Sequence, residues 1–353
     1  MAKERLAYFD NVKGVLIVLV VVGHILEPVA TSSNLLTARV VDFIYLFHMP
    51  LFIFASGLFC KSVFRDGKYR IDVPLYYLAL CFLLYSGLQV ERLFLGTFKS
   101  YSLLTMGGGS ISWYLMALAA FVIAVPFFSR LKPSVALAGS IVIAVMTGYH
   151  NPGDFLTAAR ICVYLPFFLM GYYINSSSIE GLLARLQEKG VLVAARIAAA
   201  LVLIALFAML FTLGSDGLVF LKKLFTARNS YGTILSSSGM NISWWLMGGF
   251  RLAYYLVVVV ASACVMLLVP RRKLGLVTRA GLCSLQVYFF HPFVYYALNN
   301  LGFSKAVYAA MPEVAGLFVL VAFSVLLAIG LAVLKWPQKF FDAIRGASAK
   351  LAA

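Results

Sequence analysis

Apolar positions in this chain come in long blocks, separated by short stretches that carry most of the charge, glycine and proline. The blocks fall near residues 11–30, 40–60, 71–95, 111–129, 131–149, 160–176, 192–213, 246–269, 282–302 and 313–335. Each is close to the ~20 residues that a helix rising about 1.5 Å per residue needs to cross a hydrocarbon layer. The pattern predicts an all-α fold, a polytopic membrane helix bundle of about ten transmembrane helices. Residues 1–340 read as one transmembrane domain and residues 341–353 as a short cytoplasmic tail. Lys3 and Arg5 give the N-terminus a signal-peptide look, but Pro28 spoils a small-residue cleavage site and the first block is long enough to span, so a retained first helix is expected. Two blocks are irregular: 71–95 ends in Glu91-Arg92, and 160–176 is short with Pro166 at its middle.

Composition agrees with the pattern. Hydrophobic residues make up 63% of the chain and charged ones 12%, proportions that exclude a soluble globular domain. The net charge of +16 would suggest nucleic acid in a soluble protein. Here no basic stretch is interleaved with aromatics as a nucleic-acid groove requires, so no nucleic-acid partner is expected, and cationic loops facing anionic lipid account for the excess. With the N-terminus inside, nine of the 29 Lys and Arg residues fall outside (Arg39, Arg92, Lys99, Arg160, Lys222, Lys223, Arg228, Arg251 and Lys305) and the other twenty fall inside. That asymmetry predicts both termini and the 61–70 loop in the cytoplasm. Cys60, Cys81, Cys162, Cys264 and Cys283 lie in or beside apolar blocks without ligand spacing, so neither disulfides nor a metal are expected.

Three connecting stretches differ from the rest. Lys61-Ser-Val-Phe-Arg65-Asp-Gly-Lys68-Tyr-Arg70 is a compact cationic loop, either ordinary positive-inside bias or a phosphate site. Residues 214–245 form the longest outer segment, with an amphipathic stretch around Lys222-Lys223 and a Trp244-Trp245 pair, and suit an interfacial lid. Gly107–Gly109 lacks the Lys-Ser/Thr of a nucleotide-binding loop and reads as a flexible approach to the fourth helix.

Ionisable residues inside the apolar blocks carry the candidate chemistry. An ionisable group deep in a bilayer costs on the order of 3 kcal/mol, so it marks a functional site by default. The alternative is a polar residue that joins helices by hydrogen bonds. His24 lies deep in the first block, eleven positions after Lys13, which places the two on one helix face about 16 Å apart. Asp10 can cap that helix and pair with Lys13, and Glu27 follows His24 by three positions, where a carboxylate could orient the imidazole. His48 and His291 fall at depths comparable to His24, while His150 lies at the outer end of the fifth block.

These residues sit in motifs that resemble the acyltransferase-3 family of membrane acyltransferases, in its sugar O-acetylase-like branch. The first is Tyr8-Phe-Asp10-Asn-Val-Lys13-Gly14 leading to His24, a basic residue followed after ten positions by histidine. The second is Phe47-His48-Met49-Pro50-Leu-Phe52-Ile-Phe-Ala-Ser56-Gly57. Weaker likenesses follow in order at Trp113-Tyr-Leu, at Tyr164-Leu-Pro through Gly171-Tyr-Tyr, and at Ser284-Leu-Gln-Val-Tyr288-Phe-Phe-His291-Pro292. The usual arginine of the first motif is lysine here.

The resemblance implies a membrane O-acyltransferase of a bacterial plasma membrane. It would move an acyl group, acetyl first, from cytoplasmic acyl-CoA to a hydroxyl of an extracytoplasmic sugar or glycolipid. Acetyl-CoA would be the acyl donor and co-substrate, with no metal. His24 would be the general base or the acyl-accepting nucleophile, helped by Glu27 and His48. Substrate would be held by Lys13, Asp10, Arg65, Lys68, Arg70, Trp113, Arg160 and His291, with Arg271 and Arg272 as further phosphate contacts. Some relatives carry a soluble esterase-like domain after the helices; without one, the chain would either complete the transfer alone or work with a partner, a second copy of itself or a separate secreted acyltransferase. The rival class is a transporter or flippase for a polar or glycolipid substrate, which would use the same polar residues to line a path.

Overall fold

A computed structural model describes residues 7–65, 67–106, 110–150 and 153–352, so Gly107–Gly109 lie outside the described residues. Sixteen α-helices occur among the described residues. The first six are α1 Ala7–Leu26, α2 Leu35–Phe59, α3 Asp72–Phe94, α4 Trp113–Phe128, α5 Pro133–Thr147 and α6 Ala158–Tyr173. Next come α7 Ser176–Glu188, α8 Leu192–Thr212, α9 Ser215–Phe225, α10 Tyr231–Ser238 and α11 Met247–Leu268. The last five are α12 Leu276–Leu282, α13 Ser284–Asn300, α14 Phe303–Ala310, α15 Glu313–Val333 and α16 Trp336–Ala352. A two-residue hairpin of β1 Phe64–Arg65 and β2 Lys68–Tyr69 forms the one sheet among the described residues.

Every predicted apolar block folds as a helix, and seven segments are long and apolar enough to cross a membrane: 7–29, 35–63, 72–94, 155–173, 192–212, 244–268 and 313–333. The other three blocks give the shorter helices α4, α5 and α13, of 16, 15 and 17 residues. In α13 the polar Gln286, His291, Asn299 and Asn300 also lower the hydropathy. The protein is an all-α, multi-pass membrane protein.

The chain divides into two compact units. The first comprises residues 1–52, 182–212 and 259–337. In it α1 packs on α12, α13 and α15. Glycines set how closely the α1 and α12 backbones approach: a Cβ on Gly14 would strike the Val277 carbonyl, and one on Gly281 the Asp10 carbonyl.

The second unit comprises residues 53–181, 213–258 and 338–353. Its α3 packs on α4, and α5 on α6. Gly57 and Gly171 again mark a close backbone crossing, because a Cβ on either would meet the carbonyl of Phe168 or Phe54. Residues 214–245 fold into α9, α10 and a 3-10 turn. The carbonyls at the end of α9 would be orphaned without partners. Arg251 Nη1 donates to Leu224 O (2.9 Å), Tyr164 Oη to Phe225 O (3.0 Å) and Arg160 Nε to Thr226 O (3.2 Å). Two cations therefore meet the negative end of a helix dipole, and the segment is built into its unit.

Candidate active site

In the first unit, helix α1 carries the most polar machinery. Asp10 is buried and its carboxylate lies 3.0 Å from Lys13 Nζ, one helical turn on. Asn11, 0% exposed, is the residue that sequence reasoning missed. Its Nδ2 donates to Pro270 O (2.9 Å) and Arg272 O (2.7 Å), and its Oδ1 accepts from Thr278 Oγ1 (2.6 Å). Thr278 Oγ1 in turn accepts from Leu274 N (2.8 Å). One neutral amide thus holds the backbone of the Pro270-Arg271-Arg272-Lys273-Leu274 turn against α1.

That turn lines an open groove of about 520 Å³ with Gln187, Leu192 and Arg196. Arg196 Nε donates to Leu267 O (3.0 Å), and Arg271 Nη1 to Gln187 Oε1 (3.4 Å). Neither contact neutralises charge, so the groove presents cations from both sides of the chain, and it suits a polyanion. Arg196 entered the sequence reading only as a marker of topology.

His24 lies thirteen positions after Asn11, about 20 Å further along α1. Its Nδ1 sits 2.9 Å from Nε2 of His291, on α13, with the two rings within 8° of parallel. His291 is fully buried, and its Nδ1 donates to Val287 O (2.9 Å), one turn earlier on its own helix. The Tyr295 ring is 5.6 Å from His24. His48 donates Nδ1–H to Ile44 O (2.7 Å) and its ring lies 5.1 Å from Tyr45. Gly23 makes room for Tyr45 beside α1, since a Cβ there would lie 2.7 Å from the phenol ring. Glu27 belongs to the 3-10 turn Glu27–Val29, after α1 has ended at Leu26, and its carboxylate accepts from Tyr45 Oη at 3.5 Å.

The remaining predicted residues lie in the second unit. Arg65 and Lys68 are cross-strand neighbours in the hairpin. Arg70 forms a bidentate pair with Asp72, at 3.2 and 2.6 Å. Trp113 carries the Arg160 guanidinium 4.8 Å above its ring and stacks on Tyr164 at 5.5 Å. Arg251, 0% exposed and placed over Tyr231 and Tyr254, was read from sequence only as an outer-loop charge.

A polar α1 with a hydrogen-bonded imidazole pair and a cationic groove in the same unit can bind a polyanion and move a proton. No solved structure matches the chain. It is 31% identical over 214 residues to the nodulation protein NolL of Sinorhizobium fredii, an alignment covering 54% of each chain, so this chain spans about half the length of the curated relative it matches. The profile of an acyltransferase domain matches residues 6–333, nearly the whole length, and the chain belongs to the acyltransferase-3 family of membrane acyltransferases.

Proposed function

We propose that this protein transfers an acetyl group from cytoplasmic acetyl-CoA to a hydroxyl of a sugar or glycolipid on the outer side of a bacterial plasma membrane. The observation that carries the reading is the His24–His291 pair, an uncharged proton-handling device held within an apolar unit of an acyltransferase. Coenzyme A is a polyanion at one end and a thioester at the end of a long, thin arm. Arg196, Arg271 and Arg272 suit its phosphates, and α1 runs from the turn that presents them toward His24. This fits the ligand better than the 61–70 hairpin, where Arg70 is already paired with Asp72.

In the transfer, the acceptor hydroxyl oxygen bonds to the thioester carbonyl carbon while its proton passes to His24. The carbon–sulfur bond then breaks, and the proton leaves on the CoA thiol. If His24 acts as nucleophile, its ring nitrogen bonds to the acyl carbon and expels the CoA thiolate; in a second step the acceptor hydroxyl oxygen takes the acetyl from that nitrogen, and the hydroxyl proton ends on the thiolate. Both routes return the imidazole to its starting state.

The test is release of CoA thiol by purified protein given acetyl-CoA, alone and with an envelope glycan extract. His24→Ala should lower turnover at least about a hundredfold while acetyl-CoA binding, read by calorimetry, stays at the wild-type level. Absence of thiol release by the wild type with every acyl-CoA tried would favour the transporter reading and overturn this one.

A further inference from the structure

The hydrogen bonds around His24 fix which of its nitrogens can act. The chain of reasoning starts at the far end, with Val287. Its carbonyl oxygen can only accept, so His291 Nδ1, 2.9 Å away, carries a hydrogen. A neutral imidazole has one such hydrogen, which leaves His291 Nε2 with a lone pair. His24 Nδ1 lies 2.9 Å from that Nε2 and must therefore be the donor. The remaining nitrogen of His24, Nε2, is then the only basic atom in its ring.

The anchor of His291 is local, because its acceptor is the carbonyl four positions back on its own helix. His48 repeats the arrangement, its Nδ1 donating to Ile44 O, again four positions back on its own helix. His291 is 0% exposed and His24 is partly exposed, so the outer member of the pair reaches reactants and the inner one does not.

We infer that His291 is a positioning residue whose Nε2 accepts from His24 Nδ1–H, locking His24 in the tautomer that presents Nε2 as base or nucleophile. The inference rests on the acyl-transfer reading for its consequence, but the tautomer itself does not. In a catalytic triad a buried carboxylate does the same work on the base; here a neutral imidazole anchored to a helix carbonyl does it, without placing a charge in an apolar interior.

The experiment uses the full chain in nanodiscs, with ¹⁵N-histidine labelling and imidazole nitrogen shifts assigned by single His replacements. In the wild type His24 should show a protonated Nδ1 and an unprotonated Nε2. His291→Leu removes the acceptor at similar volume; His24 should become a tautomer mixture, and turnover should fall at least about tenfold with acetyl-CoA affinity unchanged. In His291→Gln the side-chain oxygen can accept from His24 while the amide donates to Val287 O, so the single tautomer should return with most of the lost turnover. A wild-type tautomer in His291→Leu, or equal impairment in Leu and Gln variants that keep the wild-type melting temperature, would overturn the inference. If His291→Leu does not fold, the wild-type spectrum and the Gln variant still decide it: a protonated His24 Nε2 in the wild type ends the idea. A protein that shows the predicted tautomer yet never releases CoA thiol would sink the acyl-transfer reading and leave the hydrogen-bond assignment standing.

Discussion

Two basic segments of this protein, Lys61 to Arg70 and Pro270 to Lys273, look interchangeable in sequence and are treated oppositely by the structure. In the first, Lys61 donates to Asn175 Oδ1 at 2.5 Å, Arg70 chelates Asp72, and the hairpin fixes the backbone between them. Burial raises the Tyr69 phenol above its ordinary range, so it stays a donor to Val122 O at 3.0 Å. Lys61, Arg70 and the hairpin backbone are committed inside the unit. In the second, the backbone is committed through Asn11 and its two carbonyl acceptors, Arg271 meets only the neutral Gln187 amide, and among the described residues neither Arg271 nor Arg272 pairs with a carboxylate. A neutral amide grips the main chain and leaves the guanidinium groups facing a groove. Local cation density therefore does not measure the capacity to bind an anion; what matters is whether the cations have partners and the backbone is fixed.

The largest expected effect follows directly. Charge-assisted hydrogen bonds contribute about 1.5–3 kcal/mol each, so Arg271→Ala/Arg272→Ala should weaken acetyl-CoA binding at least roughly a hundredfold, with a steep salt dependence in the wild type that flattens in the variant. Equal affinity in the two proteins, measured by calorimetry, would place the phosphates elsewhere. Next comes Asn11→Ala, which removes three buried hydrogen bonds of about 1 kcal/mol each and orphans two carbonyls. It should lower the melting temperature and weaken acetyl-CoA binding about tenfold although Asn11 touches no ligand in this scheme. An unchanged affinity in the folded variant would mean that the turn holds its shape without the clamp.

Lys13 sharpens the comparison from a third direction. The family resemblance implies a substrate contact for it, and its ammonium lies 3.0 Å from the buried Asp10 carboxylate, the pairing that helical spacing also predicts. Removing one member of such a pair leaves a buried charge behind, a cost of up to several kcal/mol. Lys13→Ala should therefore reduce the yield and melting temperature of the protein, Lys13→Arg should be mild, and the additional change Asp10→Asn should recover stability. Acetyl-CoA affinity per folded molecule should move by less than about threefold; a tenfold loss restored by Lys13→Arg but not by Asp10→Asn would return Lys13 to the binding site.

Much of this architecture was legible because block length and polar interruptions report a helix directly. The break at Cys283, which separates the seven-residue α12 from α13, was not, because Gly281 matters through its contact with Asp10 and no local pattern records that. At the site, His24 and His291 stood out as ionisable residues in apolar blocks, but they are 267 positions apart and their hydrogen bond is a tertiary fact. Asn11 stayed hidden for the same reason, since its acceptors lie about 260 positions away and an amide gives no charge signal.

The smallest effect is expected at Arg70, and it is the one on which the comparison turns. Arg70 is half-exposed and bonds Asp72 in the first turn of α3, where the carboxylate also meets the positive end of the helix dipole. Exposed pairs of this kind contribute about 0–1 kcal/mol, so Arg70→Ala should cost little stability. Because its guanidinium is already occupied, the same change should leave acetyl-CoA affinity within about twofold of wild type, and its salt dependence should not change. Asp72→Ala gives the control, since it releases Arg70 from its partner without removing the cation. If the hairpin were the phosphate site, Arg70→Ala would weaken binding tenfold or more and Asp72→Ala would strengthen it by freeing a charge for the ligand. Measuring both variants beside Arg271→Ala/Arg272→Ala assigns the phosphates to one basic segment or the other without needing the acceptor, the outer side of the membrane or turnover.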